Sequence, residues 1–398
     1  MTLRPLRVQL LLFLLAVLVL LGLPVVGVAP NRILTPTGRT YAEVWLTGQW
    51  WLLLLPMLLM GLIALGWWRW QAARCAWLVA SLTLALLAWL AGDYASQGSQ
   101  VAPASRYSLG GGFWALLLLW WMMAMDAVKR FAGRASGRSA SAVLFWLPLA
   151  LVLASGHTDQ LSLWLEYKSN SAIFQSALGE HLRIVAMTLG LTVILGLYLG
   201  IRSAFHRGFG QICLNVLGIL QTVPSIALFG LLIAPLSALS QAQPWIAALG
   251  IKGIGAAPAV IALVAYSLLP MVRSTVAGLH QVPPQVLEAA RGMGMSARQT
   301  LWQVHLRLAL PVILSGLRVT TVQAIGLTVV AALIGAGGFG AIMFRGLSAS
   351  AIDLVLLGVI PVVALAAASD AAFLWLERWS LGRSPDSAQT TANQLASA

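Results

Sequence analysis

The chain has 398 residues, 60% of them hydrophobic and 9% charged, with a mean hydropathy of +0.88 and a formal net charge of +13. So small a charged fraction cannot coat a soluble core of this size, which excludes a water-soluble globular protein and places the chain in a bilayer. The basic excess sits singly or in small groups between apolar runs, the distribution of a membrane protein and not of a nucleic-acid binder.

Ten apolar stretches are legible, at 8–28, 50–68, 75–91, 112–128, 141–156, 183–201, 212–235, 257–275, 315–335 and 353–376. They predict an all-α polytopic membrane protein of about ten transmembrane helices. An even number of crossings leaves both termini on one side. Placing them in the cytoplasm assigns 17 Lys/Arg, Arg318 among them, to the inside and leaves seven outside: Arg32, Arg39, Arg106, Lys168, Arg183, Lys252 and Arg345. The positive-inside rule therefore favours N-in and C-in.

In chain order, Arg4 and Arg7 precede an apolar run of about twenty residues, longer than the 7–15 of a secretory h-region, and this predicts an uncleaved anchor. Trp50, Trp51, Trp67, Trp68 and Trp70 cluster near span ends and read as an interfacial belt. Cys75 and Cys213 lie far apart, with no CxxC and no histidine at metal spacing, so both read as packed or lipid-facing bystanders. Residues 1–170 form one region of five spans with short loops. From 171 to 382 the loops carry patterned polar residues, and the tail 383–398, rich in Ser, Ala, Thr and Gln, is expected to lack fixed structure.

In the second region, Pro224 of QTVPS can interrupt its helix and open backbone carbonyls to a water-filled cavity, which makes Gln221, Thr222, Pro224 and Ser225 candidate pathway residues. Tyr266 is either an aromatic face for a cationic ammonium group or an interhelical packing residue. The polar segment EAARGMGMSARQTLWQVHLRLALP at 288–311 interrupts the apolar pattern. Pro283 and Pro284 suit the first turn of a new helix running through Gln285 to Gly292, and Gly294 can take the positive φ of a helix end. Ser296 and Gln299 fit a capping box that restarts a helix over Leu301, Trp302 and Val304, and Pro311 precedes the next span. Such a helix-turn-helix is either an amphipathic linker on the membrane surface or a docking knob, and its small residues favour close contact with another protein.

GAGGFG at 335–340 satisfies GxGxxG literally but ends a span and lacks a βαβ context, so it predicts tight packing or irregular backbone and not a dinucleotide site. Asp370 sits well inside an apolar run, while Asp126 and Asp353 lie near span ends; one such acid can pair with a neighbouring helix or line a pathway. No P-loop, HExxH or GxSxG occurs, so the chain has no candidate catalytic residue, metal site or cofactor site of its own.

The 288–311 segment resembles the EAA loop of the permease subunits of bacterial ABC importers, whose pattern is EAA, three residues, Gly, nine residues, then I-x-LP. Glu288, Ala289, Ala290 and Gly294 match, Val304 and Leu306 stand at the I and L positions, and Arg307 replaces the proline, with LP recurring at Leu310 and Pro311. QTVPSIALFGLL (221–232), IGAAPAVIALVAYSLLPMVRST (254–275) and IGAGGFG (334–340) are similar to blocks of the osmoprotectant, or quaternary-amine, permeases; Ser274 stands where that family usually has Asn and Phe339 where it usually has Leu. The resemblance covers about 175–380 and leaves the first five spans without a role. It implies a permease that imports glycine betaine, choline or a related solute by alternating access. It further implies separate ATPase subunits that bind ATP and magnesium, a solute-binding protein outside, and a second copy or sister permease. Coupling to the ATPase is expected at Glu288, Ala289, Ala290, Gly294 and Pro311. An ion-coupled secondary transporter, or an ABC permease for another small solute such as an amino acid, is the alternative.

Overall fold

The computed structural model describes residues 4–32, 34–44, 49–64, 72–131, 135–248 and 250–380. The predicted tail 383–398, part of the 50–68 stretch, and Trp67, Trp68 and Trp70 lie outside these residues. The chain is mostly helical and divides into two compact units, Met1–Asn170 with Ala349–Asp353, and Ser171–Ser348 with Leu354–Ala398. Among the described residues seven helices are long and apolar enough to cross a membrane: Ala73–Val101, Gly111–Phe131, Ser171–Phe205, Ser225–Ala242, Ala256–His280, Ala297–Ile334 and Ile352–Glu377. Three shorter apolar helices, Val8–Gly22, Trp50–Ile63 and Ala140–Ala154, occupy the remaining predicted stretches.

In the first unit the Ala72–Val101 helix packs along Gly111–Phe131, burying Leu84, Leu87, Trp120 and Met123. The expectation of a wholly α-helical chain is corrected here. The 8–28 stretch is helical only to Gly22; Pro24–Ala29 then forms the centre of a three-stranded antiparallel sheet between Thr37–Thr40 and Arg106–Leu109. Pro24 cannot continue the helix and Val25, Val26 and Val28 favour extended backbone. Because the strand is buried along most of its length, it shows no alternation and reads as a continuation of the apolar run.

The tryptophan belt also needs revision. Trp50 is 2% exposed, meets Tyr94 edge-on at 6.3 Å and accepts a hydrogen bond from the Tyr41 hydroxyl at its carbonyl, whereas Trp51 is exposed. Glu166, 4% exposed, pairs with Arg32 at 2.7 Å and accepts from Asn170. Asp353, carried into this unit by the short Ala349–Asp353 segment, is 8% exposed and lies beside Ser162.

The second unit is built on three helices, Ser171–Phe205, Ala256–His280 and Leu306–Ala331, packed on one another. With no hydrophobic drive between helices in lipid, close backbone approach must supply dispersion contacts, and small residues make that possible. Gly196 and Gly200, a GxxxG pair, face Met271 and Thr275, each so near that an added Cβ would fall 2.5 Å from the neighbour's side chain. Gly278 opposes Ala309, and Gly316 opposes Ser274. Thr275 and Thr320 return their hydroxyls to their own helices, to Met271 O and to Gly316 O, each at 2.8 Å, so neither faces the apolar interior unbonded.

The same three helices run between two distinct ends. At one, His280 meets Ala204 O at 3.2 Å and Phe205 meets the His305 ring at 5.5 Å, beside the polar 284–305 segment. At the other, Gly255 donates to Ile334 O at 2.8 Å and Gly338 donates to Glu180 at 2.9 Å. Twenty-five helical residues separate these ends along Ala256–His280, about 37 Å at 1.5 Å per residue, enough for the ~30 Å hydrocarbon core.

Candidate functional site

The polar segment folds as a helical hairpin. Pro283 is the N-cap and Pro284 the first residue of a helix that ends at Gly292; Gly294 follows at φ +77°, where any side chain would be strained. Ser296 and Gln299 form the reciprocal capping box, with Ser296 N–H donating to the Gln299 side chain at 2.8 Å and Gln299 N–H to Ser296 Oγ at 3.4 Å. Glu288 and Ala289 are exposed together with Val286, Met293 and Trp302, so an acid, a small residue and an apolar patch share a surface otherwise made of Arg291, Arg298 and Gln299. Ala290 is buried, and its carbonyl accepts from Met295 N–H at 3.1 Å; its small side chain closes the hairpin on itself.

The second arm differs from expectation. It does not stop before the span: a π-helical turn over Thr300–His305 runs into Leu306–Ala331, and Pro311 lies inside that helix. With Arg307 in place of a proline, the backbone N–H needed to continue the helix is present, and Leu306 N–H bonds Leu301 O.

The 212–235 stretch, read as one span, is two helices, Arg207–Thr222 and Ser225–Ala242, separated by Val223 and by Pro224 as N-cap. Tyr266 and Gln221 hold this break. Gln221 Nε2 donates to Tyr266 O at 2.7 Å, and the Tyr266 hydroxyl donates to Val223 O, a carbonyl that the interrupted helix leaves unpaired. Tyr266 is 5% exposed, whereas Thr222 and Pro224 are exposed and Ser225 is half-buried.

Asp370 pairs with a neighbouring helix. Arg318 Nε donates to its Oδ1 at 2.5 Å and the Arg318 terminal nitrogen to Oδ2 at 3.0 Å, with Glu377 at 4.0 Å from the same guanidinium. Arg318, counted above among the cytoplasmic residues, therefore lies within the Leu306–Ala331 helix. A forked guanidinium and a carboxylate bonded in this way remove each other's cost in a low-dielectric layer.

Composition gave no role to Glu180. It lies on Ser171–Phe205 and is the partner of the glycine loop: Gly335, Gly337 and Gly338 have φ of +79°, +83° and +73°, and a Cβ on Gly337 would collide with the Glu180 carboxylate. An isolated acid just before an apolar run was the available signal. Its partner, 158 residues away, could not be read from it.

A polytopic helical membrane unit with an exposed helical hairpin at one end, a glycine loop at the other and a broken helix held by Tyr266, within the Ala256–His280 helix, has the parts of a transport permease. The comparisons agree. Residues 192–381 match the family model for the binding-protein-dependent transport system inner membrane component, and residues 4–164 match the N-terminal domain of the ABC transporter permease YehY. The osmoprotectant import permease protein OsmW of Salmonella typhimurium is 39% identical over 201 residues, 50% of this chain and 88% of that protein. The choline transport system permease protein OpuBD of Bacillus subtilis is 32% identical over 213 residues, 53% of this chain and 87% of that one. The glycine betaine/carnitine/choline transport system permease protein OpuCD of the same organism is also 32% identical over 213 residues, covering 53% and 86%. A solved chain of the MetNI methionine ABC transporter in an inward-facing conformation shares 20% identity over 54% of this chain and 98% of that chain, with a TM-score of 0.45. The chain belongs to the inner-membrane permeases of ABC importers, in their osmoprotectant and quaternary-amine family. Members of this family are transport subunits that work with ATPase and binding-protein partners.

Proposed function

We propose that this permease carries a small quaternary-ammonium solute, such as glycine betaine or choline, across the inner membrane by alternating access. The observation that carries the solute class is the group of relatives named for osmoprotectant, choline and glycine betaine transport, which match about half of this chain at 32–39% identity. Ten crossings with both termini in the cytoplasm put the hairpin inside. There Glu288 makes charge-assisted contacts with an ATPase subunit, exposed Ala289 permits close approach, and Gly294 and Ala290 keep the hairpin closed. ATP and magnesium bind the ATPase, and its closure shifts the hairpin because docking free energy differs between the inward and outward states. A second copy or a sister permease completes the pathway, and a binding protein delivers the solute from outside. The break at Val223 and Pro224, held by Gln221 and Tyr266, exposes Thr222 and Ser225 to the pathway.

Cells without other betaine carriers should accumulate labelled betaine or choline only when permease, ATPase and binding protein are present together. Dissipating the proton gradient at constant ATP should leave uptake intact. Collapse of uptake with the gradient would favour an ion-coupled carrier; uptake of amino acids and never of quaternary amines would discard the solute.

A further inference from the structure

The end of the second unit opposite the hairpin carries a constellation that the pathway residues above do not include. Glu180 is half-buried and accepts from Gly338 N–H at 2.9 Å; no other hydrogen bond and no ion pair is made to it among the described residues. A carboxylate offers about four lone-pair positions, so most of its capacity is unused, and Arg183, one turn along, is exposed and forms no ion pair with it. Asp370, the acid inside the last helix of this unit, is instead paired with arginine. Beside Glu180, Phe174 and Phe339 lie with ring centroids 5.2 Å apart, and the Phe339 ring is fully buried, 5.5 Å from His181.

We propose that Glu180, Phe174 and Phe339 form an entry site for a quaternary ammonium group, closed in this conformation by the hydrogen bond between Glu180 and Gly338. A weakly hydrated cation is held by aromatic faces together with one carboxylate, and those groups meet here. Gly338 and Phe339 are consecutive residues. Displacing the loop to free the carboxylate therefore withdraws Phe339 from its packed position in the same motion, uncovering anion and ring together. The three positive-φ glycines give the backbone that freedom. The arriving cation replaces the Gly338 N–H as the partner of the carboxylate, so solute binding and loop opening are one exchange. This site rests on the solute class proposed above.

The test uses the complete importer in cells without other quaternary-amine carriers, with labelled choline as probe. Glu180→Gln keeps an oxygen that can accept from Gly338 but removes the charge, and should cut choline uptake at low concentration by about tenfold, with Glu180→Asp recovering part of it. Phe339→Leu, which installs the residue usual in the similar permeases, should raise the KM for choline by about fivefold while leaving the maximal rate within about twofold. Membrane content and co-purification of the ATPase should match the wild type for each. Wild-type KM in Glu180→Gln would overturn the site, and if that variant fails to accumulate, an unchanged KM in Phe339→Leu overturns it. Variants that match an active wild type remove the site alone; a wild type that imports no quaternary amine removes the solute class and the site with it.

Discussion

Tyr266 shows how one side chain can serve two readings that the sequence leaves open. Its ring can offer an aromatic face, or its hydroxyl can tie two helices together. In the structure the hydroxyl donates to Val223 O while the Tyr266 carbonyl accepts from Gln221, so the residue is bound to the break from both sides. Tyr266→Phe separates the roles, because it keeps the ring and removes the donor. A carbonyl left without its partner costs about 1–3 kcal/mol, which should lower the thermal midpoint of the purified chain by a few degrees and slow uptake without raising the solute KM. A raised KM at unchanged stability would instead make the residue a solute contact. Arg318 was harder to read. A lone arginine between apolar residues looks the same whether it ends a span or sits within one, and only Asp370, 52 residues later, decides which.

At the scale of elements, the hairpin was the most legible part of the chain because its signals are local. Pro284, Gly294, Ser296 and Gln299 act within a few residues of themselves, and the structure forms the helix, the positive φ and the capping box at those positions. What lay beyond local signals was continuity: Pro311 reads as a boundary, yet the second arm passes through a π-helical turn into the span without a break. The expected consequence is transmission of force along one rod. Glu288, exposed on the first arm, should matter to the partner and not to the fold. Glu288→Lys should leave the amount of permease in the membrane unchanged, abolish solute uptake and weaken co-purification of the ATPase. Normal uptake by a well-expressed variant would remove the docking role. The sheet in the first unit was the least legible element. Its central strand is apolar at nearly every position and directly follows a helix, so no period announced the change.

At the scale of the molecule, the proposed orientation makes a direct forecast. With Cys75 and Cys213 replaced, a cysteine at exposed Ser296 should react only with reagents that enter the cytoplasm, and one at exposed Gln100 should react from outside. Labelling of the Ser296 position by an impermeant reagent in intact cells would invert the topology. One detail of the two units has no signal in the sequence. Ala349–Asp353 belongs to the first unit although it is encoded within the second, and Asp353 is buried there against Ser162. During synthesis the first unit therefore leaves the ribosome unfinished, and its last five residues arrive only after residues 171–348 of the second have been made. A chain ending at residue 170 would lack that closing piece, and a chain beginning at residue 171 would strand the Asp353 carboxylate without Ser162. The first unit is thus begun before the second and closed only in the midst of it.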